Sequence, residues 1–87
     1  MLLAFPIERF FMSQHELNAR NLLCPIPVIR TQNKISELSP GDQLVVYCTD
    51  PGTLHDIPAW CRVHGHTLVS AEEQSDEIVI TIEVNDA

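Results

Sequence analysis

The side chains of this 87-residue chain best suited to chemistry are three cysteines, four histidines and a scatter of carboxylates. Cys24 stands apart by its setting, Leu23-Cys24-Pro25-Ile26-Pro27-Val28. A cysteine followed by Pro-x-Pro and then a helical pattern places a thiol at a helix N-terminus. Proline suits the first helical turn, where the N–H it lacks would have no intrahelical partner. The positive end of a helix favours thiolate, the nucleophilic form of sulfur. The expected chemistry is therefore attack by, and transfer through, one sulfur atom. Pro25 and Pro27 also remove two N–H groups from the helix start, leaving mainly those of Ile26 and Val28. The motif is thus expected to stiffen the site while limiting how far the thiol pKa falls, since an over-stabilised thiolate is a weaker nucleophile.

Cys48 and Cys61 each fall on an apolar face, where buried, inert cysteine is the default. Cys61-x-x-His64-x-His66, with Cys48 or His55, is a rival metal set. It lacks a paired Cys-x-x-Cys or His-x-x-x-His core, and no metal or organic cofactor is expected. Glu72, Glu73, Asp76 and Glu77 read as a solvated hairpin tip that discourages edge aggregation. Nothing in the chain matches a phosphate-binding glycine loop, a serine triad or a dinucleotide fingerprint.

The elements that must position Cys24 follow from periodicity. Glu16–Ala19 is a short strand candidate. Residues 25–38 read as a helix, with Val28, Thr31, Ile35 and Leu38 at three- and four-residue steps. Ser39-Pro40-Gly41-Asp42 stops it. Gln43–Thr49 is a strand with two apolar faces, hence central. Asp50-Pro51-Gly52 breaks that strand, and Thr53-x-x-Asp56 resembles a capping box opening a helix to about His64, closed by Gly65. His66–Glu73 and Glu77–Val84 form a hairpin. The order β-α-β-α-β-β favours parallel crossovers for the first two steps. The expected fold is α+β: a two-layer α/β sandwich, with a four-stranded mixed sheet and both helices on one face.

Five basic and twelve acidic residues give a net charge of −7, which argues against direct nucleic-acid binding and fits docking on a basic protein patch. No apolar run approaches the roughly 18 residues that span a bilayer, so no membrane association is expected. An odd number of widely spaced cysteines suggests a reducing, cytoplasmic setting. Residues 1–12 are expected to be an N-terminal extension outside the fold, with Met12-Ser13-Gln14 as a plausible second start, and residues 13–87 to form a single domain.

The motif and element order together resemble the TusA (SirA-like) sulfur-carrier family. The resemblance runs from about Leu17 to Val84. It is carried by Leu17-Asn18-Ala19-Arg20-Asn21-Leu22-Leu23-Cys24-Pro25-Ile26-Pro27, by Asp50-Pro51-Gly52-Thr53 with Asp56-Ile57-Pro58, and by Gly65-His66. Two departures stand out: the family usually has Asp at the position of Asn18 and Gly at that of Asn21. Asn tolerates the left-handed conformation, so the turn at Asn21 can survive.

The resemblance implies a carrier that receives sulfane sulfur as a persulfide on Cys24 and hands it on. The donor would be a cysteine desulfurase or rhodanese-type protein, and the acceptor another relay protein, for tRNA thio-modification or other sulfur metabolism. Pro25 and Pro27 would fix the helix tip. Arg20 is a candidate for holding the anionic persulfide or meeting a partner, against a plain solvated arginine. Asp50 is a candidate rim residue, against a turn-forming Asp before Pro51. Two alternatives are a non-catalytic interaction or regulatory module of the same fold and a small thiol-redox protein.

Overall fold

The computed structural model describes residues 13–85, so the expected extension over 1–12 lies outside the described residues. Six elements follow in the order β1 (Gln14–Ala19), α1 (Ile26–Ile35), β2 (Gln43–Cys48), α2 (Thr53–His64), β3 (Thr67–Glu73) and β4 (Ile78–Glu83). They form one four-stranded sheet in the order β1-β2-β4-β3. β1 pairs with β2 in parallel, and β4 pairs antiparallel with both β2 and β3. The hairpin therefore folds β4 back between β2 and β3, and both β-α-β crossovers are parallel, as expected. β1 and β3 are the edge strands, and β3 carries an irregularity between Leu68 and Ser70.

Alternation along the strands selects one face for burial. Leu44, Val46 and Cys48 of β2 and Ile78, Ile80 and Ile82 of β4 are buried, and they join Ile35 of α1 with Ile57 and Cys61 of α2 in one core. Both helices thus lie on the same side of the sheet. Val45 is buried on the other face, in keeping with a central strand. Among the described residues no helix is long and apolar enough to cross a membrane.

Several expected boundaries shift: β2 ends at Cys48 and not Thr49, β3 starts at Thr67 and not His66, β4 spans Ile78–Glu83 and not Glu77–Val84, and α1 starts at Ile26 and not 25. β1 begins at Gln14, earlier than Glu16, because the parallel ladder runs the full length of β2, from Gln14↔Gln43 to Ala19↔Cys48. α1 ends at Ile35 and not at 38. Its last turns tighten to three-residue bonds, Glu37 N–H to the Lys34 carbonyl and Leu38 N–H to the Ile35 carbonyl. The capping box at Thr53 does not form. The Thr53 hydroxyl instead donates backwards to the Asp50 carbonyl at 2.8 Å, and Asp56 is left free of a capping role. The stop at Gly65 is as expected, with φ 81.

Candidate sulfur site

The parallel pairing of β1 and β2 decides where the site lies. Ala19 opposite Cys48 puts the C-terminal ends of both strands at the same edge of the sheet. The two loops leading into α1 and α2 therefore start side by side. Two hydrogen bonds join them. The Asn21 N–H donates to Thr49 Oγ1 at 2.8 Å, and the Cys24 N–H donates to Asp50 Oδ2 at 2.8 Å. Asn21 takes φ 64, so it fills the left-handed turn position where the family usually has Gly.

Asp50 does two jobs at once. Its second oxygen, Oδ1, accepts the Gly52 N–H at 3.1 Å and shapes the local turn, while Oδ2 reaches across to Cys24. These two backbone donors, that of Cys24 first, hold the Asp50 carboxyl below its ordinary range. Asp50 is thus both the turn-former and a neighbour of the cysteine.

Cys24 itself is half-buried. Gly52 sits against it: a methyl group on Gly52 would lie 3.4 Å from Cys24 Sγ, 3.6 Å from Asp50 Oδ1 and 3.9 Å from Asp56 Oδ2. Sulfur and two carboxylates thus surround one bare glycine. Burial, followed by hydrogen bonding to Asp56 and then Asp50, pushes the Cys24 thiol up to about 12.

This reverses the expectation that the helix start would favour thiolate. The reason is in the first turn of α1. The Ile26 N–H donates to the Leu23 carbonyl, and the N–H groups of Val28 and Ile29 both donate to the Pro25 carbonyl. Pro25 and Pro27 have no N–H to give. The donors that would stabilise an anion are absent or committed, so burial first and then the two carboxylates prevail. Pro27, in the first turn of α1, is fully buried.

Arg20 is not brought to the sulfur. Its Nε donates to Glu77 Oε1 at 2.6 Å, its Nη1 to Asn18 Oδ1 at 3.3 Å, and its guanidinium lies 4.6 Å from the centre of the Tyr47 ring. Tyr47 alternates with the buried Val46 and Cys48, so this cluster sits on the sheet face away from the helices. Arg20 ties the end of β1 to the start of β4. Asn18 also accepts the Arg20 backbone N–H at 3.1 Å.

The remaining candidates separate cleanly. Cys48 is 0 % exposed and Cys61 1 %, both in the core as expected. Among the described residues no group of three or more His, Cys, Asp or Glu side chains converges as a metal site. His64 and His66 stack on Trp60, with ring centres 4.7 and 5.4 Å away, and His66 Nδ1 accepts the Asn85 N–H.

Beside the carboxylates, apolar side chains of the Cys24 loop and of both helices are exposed. Leu23 is 74 % and Val63 79 % exposed, and Ile26 and Ile29 are also open to solvent. A groove of about 340 Å³ between the helices runs past Pro25, Val28, Asp56, Ala59 and Val63. Sequence reasoning passed over Gly52 and Asp56 as site residues. Their signal was present in the block Asp50-Pro51-Gly52 with Asp56, once the two strand ends are known to be neighbours.

A sulfurtransferase TusA family model matches residues 15–84, which takes in every element except the first residue of β1. The chain belongs to the TusA sulfurtransferase family. The fold agrees: the crystal structure of a SirA-like protein from Desulfitobacterium hafniense superposes with a TM-score of 0.73 at 22 % identity, covering 83 % of this chain and 99 % of that one. Membership of the TusA family gives the protein a sulfur-carrier role exercised together with other proteins.

Proposed function

We propose that Cys24 is the residue that carries the sulfur, as a persulfide, between a donor protein and an acceptor protein. The observation that carries this reading is the placement of Cys24. It is a half-buried cysteine at a proline-stiffened helix tip, its backbone pinned by Asp50, beside exposed apolar side chains open to a partner. The donor cysteine persulfide offers its outer sulfur. Cys24 Sγ bonds to that sulfur, the donor S–S bond breaks, and the electron pair leaves on the donor sulfur, which ends as a thiol. An acceptor thiolate then repeats the exchange on Cys24. The donor is of the cysteine desulfurase or rhodanese type, and the acceptor is a further relay protein in tRNA thio-modification or sulfur metabolism. The relay makes the protein a sulfurtransferase that acts only with its partners. Transfer in a reducing, cytoplasmic compartment suits such a thiol.

One observation favours a second reading, an interaction module without sulfur traffic: Cys24 Sγ is half-buried and shares the space around Gly52 with the Asp50 and Asp56 carboxylates, a setting that disfavours thiolate. The thiol-redox alternative is weakened by the burial of Cys48 and Cys61, which leaves Cys24 without an accessible resolving thiol. Intact mass with peptide mapping separates them. The protein is incubated with a cysteine desulfurase, its pyridoxal phosphate and cysteine. One added sulfur on Cys24, removed by reductant and missing in Cys24→Ser, is the expected result. No added sulfur from that donor or from polysulfide rejects the carrier reading in favour of the module. A disulfide to Cys24 supports the redox reading.

A further inference from the structure

The Asp56 carboxylate makes no hydrogen bond that holds α2 together, although an acidic residue there suits the helix start. Asp56 stands in the first turn of α2, yet its side chain makes no cap, and its backbone N–H is already satisfied by the Gly52 carbonyl. Its carboxylate turns across Gly52 to the place where Cys24 Sγ and Asp50 Oδ1 also converge. Among the described residues no salt bridge joins a cation to either of these carboxylates. Arg20 is bound to Glu77 on the other sheet face, the tip of α1 offers only Pro25, Ile26 and Pro27, and His64 lines the groove further along α2.

We propose that Asp56 is a positioning residue for Cys24: its carboxylate accepts the S–H hydrogen and, with Asp50, keeps the sulfur an uncharged thiol until a partner brings a cation to this rim. The inference rests on Cys24 being the carrying residue. The upward push on the Cys24 thiol, from burial first and then from the Asp56 and Asp50 carboxylates, agrees with it. In the free carrier the restraint slows reaction with stray electrophiles, because thiolate is the reactive form. When a lysine or arginine of a docked donor neutralises the carboxylates, the S–H ionises at the point of contact. Cys24 Sγ then bonds to the outer persulfide sulfur, the donor S–S bond breaks, and the proton released by Cys24 ends on the departing donor sulfur. Atoms and electrons balance without an oxidant.

The test is the pH profile of Cys24 alkylation by iodoacetamide, a neutral reagent, read by peptide mass in the wild type, Asp56→Asn and Asp56→Glu. Removing one neighbouring carboxylate lowers a thiol pKa by about one unit, which gives roughly tenfold more thiolate at neutral pH. The accompanying loss of nucleophilicity takes back about threefold, so Asp56→Asn alkylates about threefold faster with its profile shifted down. Asp56→Glu restores the wild-type profile. An unchanged or upward-shifted profile in a folded Asp56→Asn protein overturns the proposal. Should that variant not fold, the wild type still decides. Salt screens an exposed carboxylate, so its alkylation must quicken with ionic strength, and a flat response overturns the proposal equally. Alkylation needs no sulfur donor, so this result is independent of whether Cys24 takes up a persulfide.

Discussion

Gly52→Ala isolates what the bare glycine at the sulfur site contributes. Gly52 has φ −60 and ψ −22, ordinary helical values, so its backbone gives no reason for glycine. The added methyl would meet Cys24 Sγ at 3.4 Å and Asp50 Oδ1 at 3.6 Å, which is van der Waals contact without overlap. Replacing glycine by alanine where the conformation already fits stabilises by about 0.4–1 kcal/mol, through the lost freedom of the unfolded chain. For a domain of this size that raises Tm by about 2–8 °C. The preference of helix N-caps for glycine over alanine pulls the other way, but it applies to non-helical cap geometry, and Gly52 is already helical. The variant should therefore melt higher and keep a Cys24 that alkylates at close to the wild-type rate. Gly52→Leu, whose side chain reaches past the methyl, should cover the sulfur and slow alkylation sharply. Thermal unfolding and iodoacetamide kinetics measure both. A Gly52→Ala protein that melts below the wild type refutes the reasoning, because it would mean that the space around the sulfur is tighter than the contacts imply.

The left-handed turn at Asn21 and the buried thiols give two further expectations. Asn21→Gly should leave the urea midpoint unchanged or higher, whereas Asn21→Val, with a β-branched residue at φ 64, should cost about 1–2 kcal/mol. Burial pushes Cys61 up to about 11 and raises Cys48 as well. A folded pKa above the unfolded one means that the folded state holds its proton longer. The stabilisation is therefore complete below about pH 8.5, the ordinary thiol pKa, and fades as pH climbs toward the folded values. Thermal melts from pH 7 to 10.5 should show Tm falling on the alkaline side, with a shallower fall in Cys61→Ala; equal slopes would contradict the assignment to Cys61.

The element order, the hairpin and the central place of β2 were legible because each rests on local signals: two-residue alternation, three- and four-residue steps, and Pro or Gly at the breaks. The left-handed turn at Asn21 was legible through the family resemblance, which puts glycine there, and not through a local pattern. The electrostatics of Cys24 were not. They depend on Asp50 and Asp56, 26 and 32 residues away in the chain. Only the pairing of Ala19 with Cys48 brings them to the sulfur. Thr53 and Asp56 spelled a capping box, but the Thr53 hydroxyl found a carbonyl behind it, and a four-residue pattern cannot report that competition. Arg20, four residues before Cys24 in sequence, belongs to the opposite face, because the strand alternation carries past Ala19 before the chain turns.

The burial of Cys48 and Cys61 sets the capacity of the molecule. With two of its three thiols sealed among Leu44, Ile57 and Ile80, only Cys24 can exchange with anything outside. On the reading proposed above, with Cys24 as the carrying residue, each chain is either empty or loaded, with no second accessible cysteine to which sulfur could migrate. The amount of sulfur held in transit is then fixed by how many copies of the chain exist, and the ratio of loaded to empty chains reads directly as the balance between supply and demand.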